Sequence, residues 1–153
     1  MNLGFRIALF SLVLLFGACS SLKLNPANFA WPVESVLKAD ENGVISEERY
    51  SLSFNAAGVF YEEFKDSSAY RNSEIRLLRN ANGYYFLTAM NFKNVYVFEI
   101  DDGDLILENK ILVDANGLND PVLNQRDPFI ELQSGEIKLF LTNDGIHMDE
   151  GKK

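Results

Sequence analysis

Short β-rich runs separated by turn residues constrain the fold more than any other feature of this sequence. The runs recur about every eight to twelve positions, a spacing typical of antiparallel sandwiches and barrels. They cover residues 50–54, 75–79, 84–90, 95–100, 105–107, 110–113, 129–133 and 137–142. Turns such as Asn82-Gly83 and Asp102-Gly103 supply the positive φ angles that tight hairpins need. The sequence therefore predicts a mainly β fold, a small antiparallel meander that forms a sandwich or a barrel.

Two of these runs, residues 84–90 and 95–100, are largely apolar on both faces. One face of the first run carries Tyr84, Phe86 and Met90, and the other carries Tyr85, Leu87 and Ala89. A strand buried on both faces lies centrally, is covered by a second layer, or lines a barrel cavity. The aromatic runs are also typical of a β-propeller blade, the alternative fold. That alternative ranks lower, because a chain of this length permits only about three blades.

One segment, residues 56–65, departs from the β pattern. Ala56, Phe60 and Phe64 recur every four residues, which is the spacing of one helix face, and Asn55 is a candidate N-cap. Gly58 lowers the helix propensity of this segment. We expect at most one short helix, at about residues 56–65.

The composition narrows the class of partner. The chain has 153 residues, with 14 Lys and Arg against 22 Asp and Glu, for a net charge of −8. This balance disfavours nucleic acid, because phosphate binding needs a clustered cationic surface. The single cysteine excludes a disulfide framework and a cysteine-rich zinc site.

The N-terminus has the order of an export signal. Arg6 supplies a positive charge, residues 7–16 are apolar except for Ser11, and the small residues Gly17 and Ala18 follow. The stretch between Arg6 and Cys19 would make only about 18 Å of helix, against the ~30 Å of a bilayer core. The segment is therefore too short to span a membrane, and a signal peptide is the better interpretation.

A signal peptide that ends in Gly17-Ala18-Cys19 resembles the lipobox of bacterial lipoproteins. The resemblance covers residues 1–20 and implies cleavage between Ala18 and Cys19, followed by acylation of Cys19 on its sulfur and its amine. Several acyl chains would anchor the protein stably in a membrane. Ser20, where an Asp would retain such a protein in the inner membrane, implies the periplasmic face of the outer membrane of a bacterial envelope.

The chain then divides into four segments. Residues 1–18 form the lipoprotein signal peptide, and residues 19–28 the lipidated cysteine and a polar tether. Residues 29–148 form a single β domain, and residues 149–153 a charged tail.

Candidate site residues are few. Tyr85 and Tyr96 are the best candidates for a ligand pocket, because their strands are apolar on both faces. Asp101, Asp102 and Asp104 are the least implausible ion site, although hairpin turns select the same residue types. The pairs Glu47-Glu48 and Glu62-Glu63 are expected to be solvated surface charges, and His147, the only histidine, a frayed surface residue.

These features predict a non-catalytic, lipid-anchored envelope protein that acts as a binding module. Its partners would be the membrane, through lipid on Cys19, and another envelope protein or a glycan, with no cofactor. The alternative function is a β-barrel that carries a small apolar ligand or lipid in a cavity lined by Tyr85 and Phe98. An unidentified enzyme is the third hypothesis, because no catalytic motif is present in the sequence.

Overall fold

The computed structural model describes residues 33–147, which form eleven strands and one α-helix. Two short 3-10 turns, Glu48–Tyr50 and Ala69–Asn72, flank the region that contains the helix. The elements in chain order are β1 Ser35–Lys38, β2 Val44–Glu47, β3 Leu52–Asn55, α1 Ala57–Phe64, β4 Glu74–Arg79, β5 Tyr85–Ala89, β6 Asn94–Asp101, β7 Asp104–Leu112, β8 Val122–Arg126, β9 Phe129–Ser134, β10 Ile137–Thr142 and β11 Gly145–His147.

The strands form three antiparallel sheets. A five-stranded sheet has the order β1-β4-β5-β6-β7, a four-stranded sheet has the order β11-β10-β9-β8, and β2 pairs with β3 alone. The prediction of a mainly β antiparallel meander is confirmed. β1 and β7 are the two edges of the five-stranded sheet and do not pair with each other. The described residues therefore form a layered sandwich, and neither a closed barrel nor propeller blades.

The five-stranded sheet is covered on both faces. One core lies against the β2–β3 hairpin and α1, and includes Ile45, Phe60 and Leu87. A second core lies against the four-stranded sheet, and includes Phe86, Val97 and Leu132. All five residues of β5 are buried. This agrees with the prediction that residues 84–90 are buried on both faces. The run is apolar on both faces because the central strands separate two cores.

The predicted helix at residues 56–65 is confirmed as α1. The N-cap residue is Ala56, one position after the predicted Asn55, whose side chain accepts a hydrogen bond from the backbone N–H of Ala57 at 2.8 Å. The helix ends where Lys65 adopts a positive φ of 57°. Phe60 is fully buried and packs edge-on against Phe92 at a ring-centroid distance of 5.0 Å. Burial of such a side chain contributes about 1.5–3 kcal/mol and docks the helix on the sheet.

The structure differs from the sequence prediction at β7 and at four strands that were not predicted, β1, β2, β8 and β11. The predicted runs 105–107 and 110–113 lie on one continuous strand, β7, which ends at Leu112 and has a register irregularity opposite Val97 and Phe98. Its polar middle, Glu108 and Asn109, is tolerated because β7 is an edge strand whose outer side meets solvent. β8 was not predicted, because Leu123 is its only fully buried residue and the alternation of apolar side chains is missing.

No helix within residues 33–147 is long and apolar enough to cross a bilayer.

Candidate functional site

The predicted pocket residue Tyr85 lies in a cluster of two tyrosines and two arginines, which we call the tyrosine–arginine site. Tyr85 begins β5 and pairs in register with Arg79, the last residue of β4. Tyr50 comes from the 3-10 turn after β2, and its ring meets the Tyr85 ring edge-on at 5.6 Å. Arg49, the neighbour of Tyr50, completes the site.

Each arginine lies over the ring of a tyrosine. The guanidinium carbon of Arg49 is 5.6 Å from the Tyr50 ring centroid, and that of Arg79 is 5.5 Å from the Tyr85 ring centroid. Guanidinium groups are attracted to aromatic faces by the ring quadrupole. The stacking fixes two long cationic side chains in place, so they lose less conformational entropy when an anion binds.

The buried carboxylate of Glu47 accepts hydrogen bonds from Arg49 and holds its side chain in position. Glu47, only 5% exposed, accepts hydrogen bonds from the backbone N–H of Arg49 at 3.0 Å and from its Nε at 3.1 Å. Burial raises the pKa of Glu47, but hydrogen bonds from Ser35 and Arg49 outweigh burial and hold that pKa below its ordinary value. Arg49 also donates to the Ser35 hydroxyl. The expectation that Glu47 is a solvated surface charge is therefore wrong.

Two open hollows flank Tyr85. One, of about 230 Å³, is lined by Arg49, Tyr50, Ser51, Arg79 and Tyr85. The other, of about 210 Å³, is lined by Arg79, Asn82, Gly83, Tyr84, Tyr85, Glu99 and Ile100. Arg79 and Tyr85 are common to both hollows, so they form the wall between them.

The polar groups of the tyrosine–arginine site are hydrogen-bond donors. Burial raises the pKa of the Tyr50 and Tyr85 hydroxyls above their ordinary value of 10.0. Both hydroxyls therefore stay protonated at neutral pH, beside two permanently charged guanidinium groups. The Tyr50 hydroxyl oxygen is itself buried, and the Glu99 carboxylate lines one of the hollows. The remaining donors, Tyr85 and the two guanidinium groups, suit an anionic oxygen, as in a carboxylate.

Tyr96, the second predicted pocket residue, lies elsewhere. It is 1% exposed, and its hydroxyl donates to Glu63 Oε1 at 2.9 Å. Burial and this acceptor raise the pKa of Tyr96. Tyr96 lies opposite Leu87 rather than Tyr85 in the sheet, so the structure separates the two predicted residues.

The expectation that Glu63 is a solvated surface charge is also wrong. Its carboxylate accepts from the backbone N–H of Lys93 at 2.9 Å and from Asn94 Nδ2 at 2.7 Å, besides Tyr96. These three donors join α1 to the start of β6. Glu63 has a structural role that no local sequence pattern indicates, because its partners are about thirty residues away.

The three aspartates of the predicted ion site form the β6–β7 hairpin. Asp101 pairs with Asp104 across the turn, while Asp102 and Gly103 have positive φ values of 48° and 92°. These angles are those of a tight hairpin turn, which explains the residue types. Within residues 33–147, no group of three or more His, Cys, Asp or Glu side chains could hold a metal ion.

Another hollow, of about 460 Å³, is a polar cleft beside β1 and β4 that the sequence does not indicate. Arg76 at its base pairs with Glu34 at 3.0 Å and with Asp120 at 3.3 Å. Desolvation by burial raises the pKa of Glu34 despite that pairing. The lining carries charges of both signs: the cations Lys38, Arg71 and Arg76, and the carboxylates Glu74 and Asp120.

His147 lies in β11 and is not frayed. Its ring stacks on Phe129 with a centroid distance of 4.2 Å, and β11 pairs with β10. The predicted cleavage and lipidation residues, Ala18 and Cys19, lie outside the described residues.

Comparison with known proteins assigns no family: the chain matches no protein-family model, no curated protein and no solved structure.

Proposed function

We propose that the protein is a non-catalytic, lipid-anchored binding module of the bacterial envelope, tethered through Cys19 at the periplasmic face of the outer membrane. Its tyrosine–arginine site would receive an anionic group, such as a carboxylate, presented by a partner in the envelope. The observation that carries this proposal is the pair of hollows that share Arg79 and Tyr85.

The geometry favours binding over catalysis at this site. General base catalysis needs a group that accepts a proton near neutral pH, within hydrogen-bond reach of the reacting atom. The Tyr50 and Tyr85 hydroxyls have raised pKa values, and the Glu47 carboxylate is ionised but engaged by Arg49. The site therefore offers donors and positive charge, which stabilise a bound anion and leave it chemically unchanged.

An anchor through Cys19 would make modest affinity sufficient. A tethered domain meets membrane-bound partners at a high effective concentration, so the site needs no extensive interface. The two hollows are small, which matches recognition of one charged group rather than enclosure of a whole ligand.

Site-specific photocrosslinking in intact envelopes tests this function. A photoreactive amino acid would replace Ser51 or Asn82, which are exposed and line the two hollows. The matched control is Asn116, an exposed turn residue that lines neither hollow. We expect one partner to be captured from both hollow positions and not from Asn116.

Substitutions of Arg79 and Tyr85, which separate the two hollows, test whether capture of the partner depends on this site. Arg79→Gln should reduce capture about tenfold or more, because it removes a charge-assisted hydrogen bond. Tyr85→Phe keeps the ring and removes only the donor, so it should reduce capture less. Thermal melts would show that both variants fold. Equal capture from Asn116, or undiminished capture by folded Arg79→Gln, would overturn the proposal.

A further inference from the structure

The four-stranded sheet has an outward face on the side opposite its buried core. Ile130, Leu132 and Leu141 point inward into the second core. Strand alternation therefore directs their neighbours outward, and the strand register places these in one layer. We call this layer the outer face; its members used here are Arg126, Phe129, Glu131, Lys138, Phe140 and His147.

Aromatic rings form a continuous strip along the outer face. Phe129 stacks on His147 with a centroid distance of 4.2 Å and an interplanar angle of 20°. The Phe140 ring centroid is 6.1 Å from that of Phe129. His147 is exposed and the two phenylalanines are half-buried, so the strip is accessible from solvent. Aromatic strips on a sheet face suit the apolar C–H face of a sugar ring.

Two exposed cations lie next to the strip, and the exposed Asp127 lies in the turn between β8 and β9 at its end. Lys138 Nζ lies 2.9 Å from Glu131 Oε2, and Arg126 Nε lies 3.7 Å from the same oxygen. The Glu131 side chain is only 2% exposed, whereas those of Lys138 and Arg126 are 56% and 63% exposed. The buried Glu131 carboxylate therefore positions two exposed cations and compensates the charge of only one of them, in a chain of net charge −8.

We propose that the outer face binds an acidic polysaccharide. Sugar rings would pack on the aromatic strip, while carboxylates of the polymer pair with Lys138 and Arg126. The hydrogen bonds that these carboxylates accept are charge-assisted, so each is stronger than a hydrogen bond between neutral groups. Charge complementarity selects an acidic polymer, and the rings select sugars over other polyanions.

This inference goes beyond the proposed function. The outer face and the tyrosine–arginine site lie on opposite sides of the five-stranded sheet, since Tyr85 belongs to the first core and Ile130 to the second. The two sites share none of the residues named for them, so each can be inactivated without the other.

Binding to defined polymers tests the inference. The full chain would be titrated with polygalacturonate, an acidic polysaccharide, and with two controls: dextran, a neutral polysaccharide, and polyglutamate, an acidic polymer without sugars. We expect binding to polygalacturonate, which weakens as salt is added because exposed charges are screened. Neither control polymer should bind comparably.

Variants place the binding on the outer face. Arg126→Gln combined with Lys138→Gln should weaken polygalacturonate binding about tenfold or more. Phe140→Leu, which keeps an apolar side chain and removes the ring, should also weaken binding. Lys65→Gln, a change of an exposed lysine on the far layer, should leave it unchanged.

Three results would overturn the inference. They are no binding to polygalacturonate, equal binding to polyglutamate, and undiminished binding by the folded double variant. Loss of binding in Arg79→Gln alone would place the polysaccharide in the tyrosine–arginine site instead.

Discussion

Carboxylates that accept several hydrogen bonds hold this small domain together at the scale of single residues. Glu47 and Glu131 are buried and Glu63 is half-buried. Each accepts from at least two donor groups. An ionised carboxylate removed from water is costly unless such donors compensate it. We therefore expect the loss of one donor or acceptor in these groups to be measurable as a change in stability.

The Tyr96–Glu63 contact gives the first prediction. Tyr96→Phe removes the hydroxyl that donates to Glu63 at 2.9 Å, and the free energy of unfolding should fall by about 1.5–3 kcal/mol. Tyr61→Phe is the matched control, because Tyr61 is 51% exposed and should change stability by less than about 0.5 kcal/mol. Urea denaturation measures both; equal effects would contradict the role given to Glu63.

Glu131 makes stability depend on pH. The hydrogen bond from Lys138 is the main reason that the pKa of Glu131 is lowered in the folded chain from its ordinary value of 4.5. A lowered carboxyl pKa stabilises the fold above that ordinary value, and this stabilisation is lost as pH falls through the folded pKa. Glu131→Gln should therefore destabilise the protein at pH 7 and by much less near pH 3, as measured by denaturation at each pH. A difference that is independent of pH would contradict this.

Two glycines illustrate the scale of secondary-structure elements. Gly117 has a φ of 92°, and a Cβ there would lie 2.8 Å from the carbonyl oxygen of Asn91. The loop it belongs to is fastened by the backbone N–H of Leu118, which donates to the Phe92 carbonyl at 2.8 Å. Gly117→Ala should therefore destabilise the fold by about 2 kcal/mol or more, through backbone strain and that close approach.

Gly58→Ala is the opposite case within α1. Its φ is not positive and a Cβ there would meet no atom within 4 Å. Alanine has the higher helix propensity, so the variant should be more stable by roughly 0.5–1 kcal/mol. Thermal denaturation of the two variants measures whether Gly117→Ala lowers the stability of the fold and Gly58→Ala raises it. Destabilisation by Gly58→Ala would contradict the helix assignment.

The elements that could be predicted from the sequence are those with strong local patterns. The apolar residues of β5 and β6, the Asp102-Gly103 turn and the four-residue spacing in α1 all have local causes. β1, β2, β8 and β11 could not be predicted, because they are short and are ordered mainly by pairing with neighbouring strands. Tertiary contacts determine these strands more than their own residues do.

The candidate site was only partly predictable for a similar reason. Tyr85 stood out because its strand is apolar on both faces. Arg79 and the Arg49-Tyr50 pair did not, since thirty residues of sequence separate them and only the packing of the β2–β3 hairpin on β4 and β5 joins them. No local motif connects residues that meet across layers.

At the scale of the whole molecule, the central sheet serves two cores at once. Phe86 and Leu87 are adjacent and fully buried, yet they belong to different cores. Phe86→Ala should cost about 3–5 kcal/mol and Leu87→Ala about 2–5 kcal/mol, since each leaves a cavity in a packed layer. Both variants should unfold in one cooperative transition. If either change had no effect in urea denaturation, the layer on that side would not be packed.

The most direct test of the central claim, a binding domain tethered by lipid, is the intact mass of the chain isolated from the membrane fraction. Wild-type chain should begin at Cys19 and carry the added mass of acyl chains. Cys19→Ala should lose that mass and leave the membrane fraction. An unmodified wild-type chain recovered in soluble form would contradict the tether and the envelope function proposed from it.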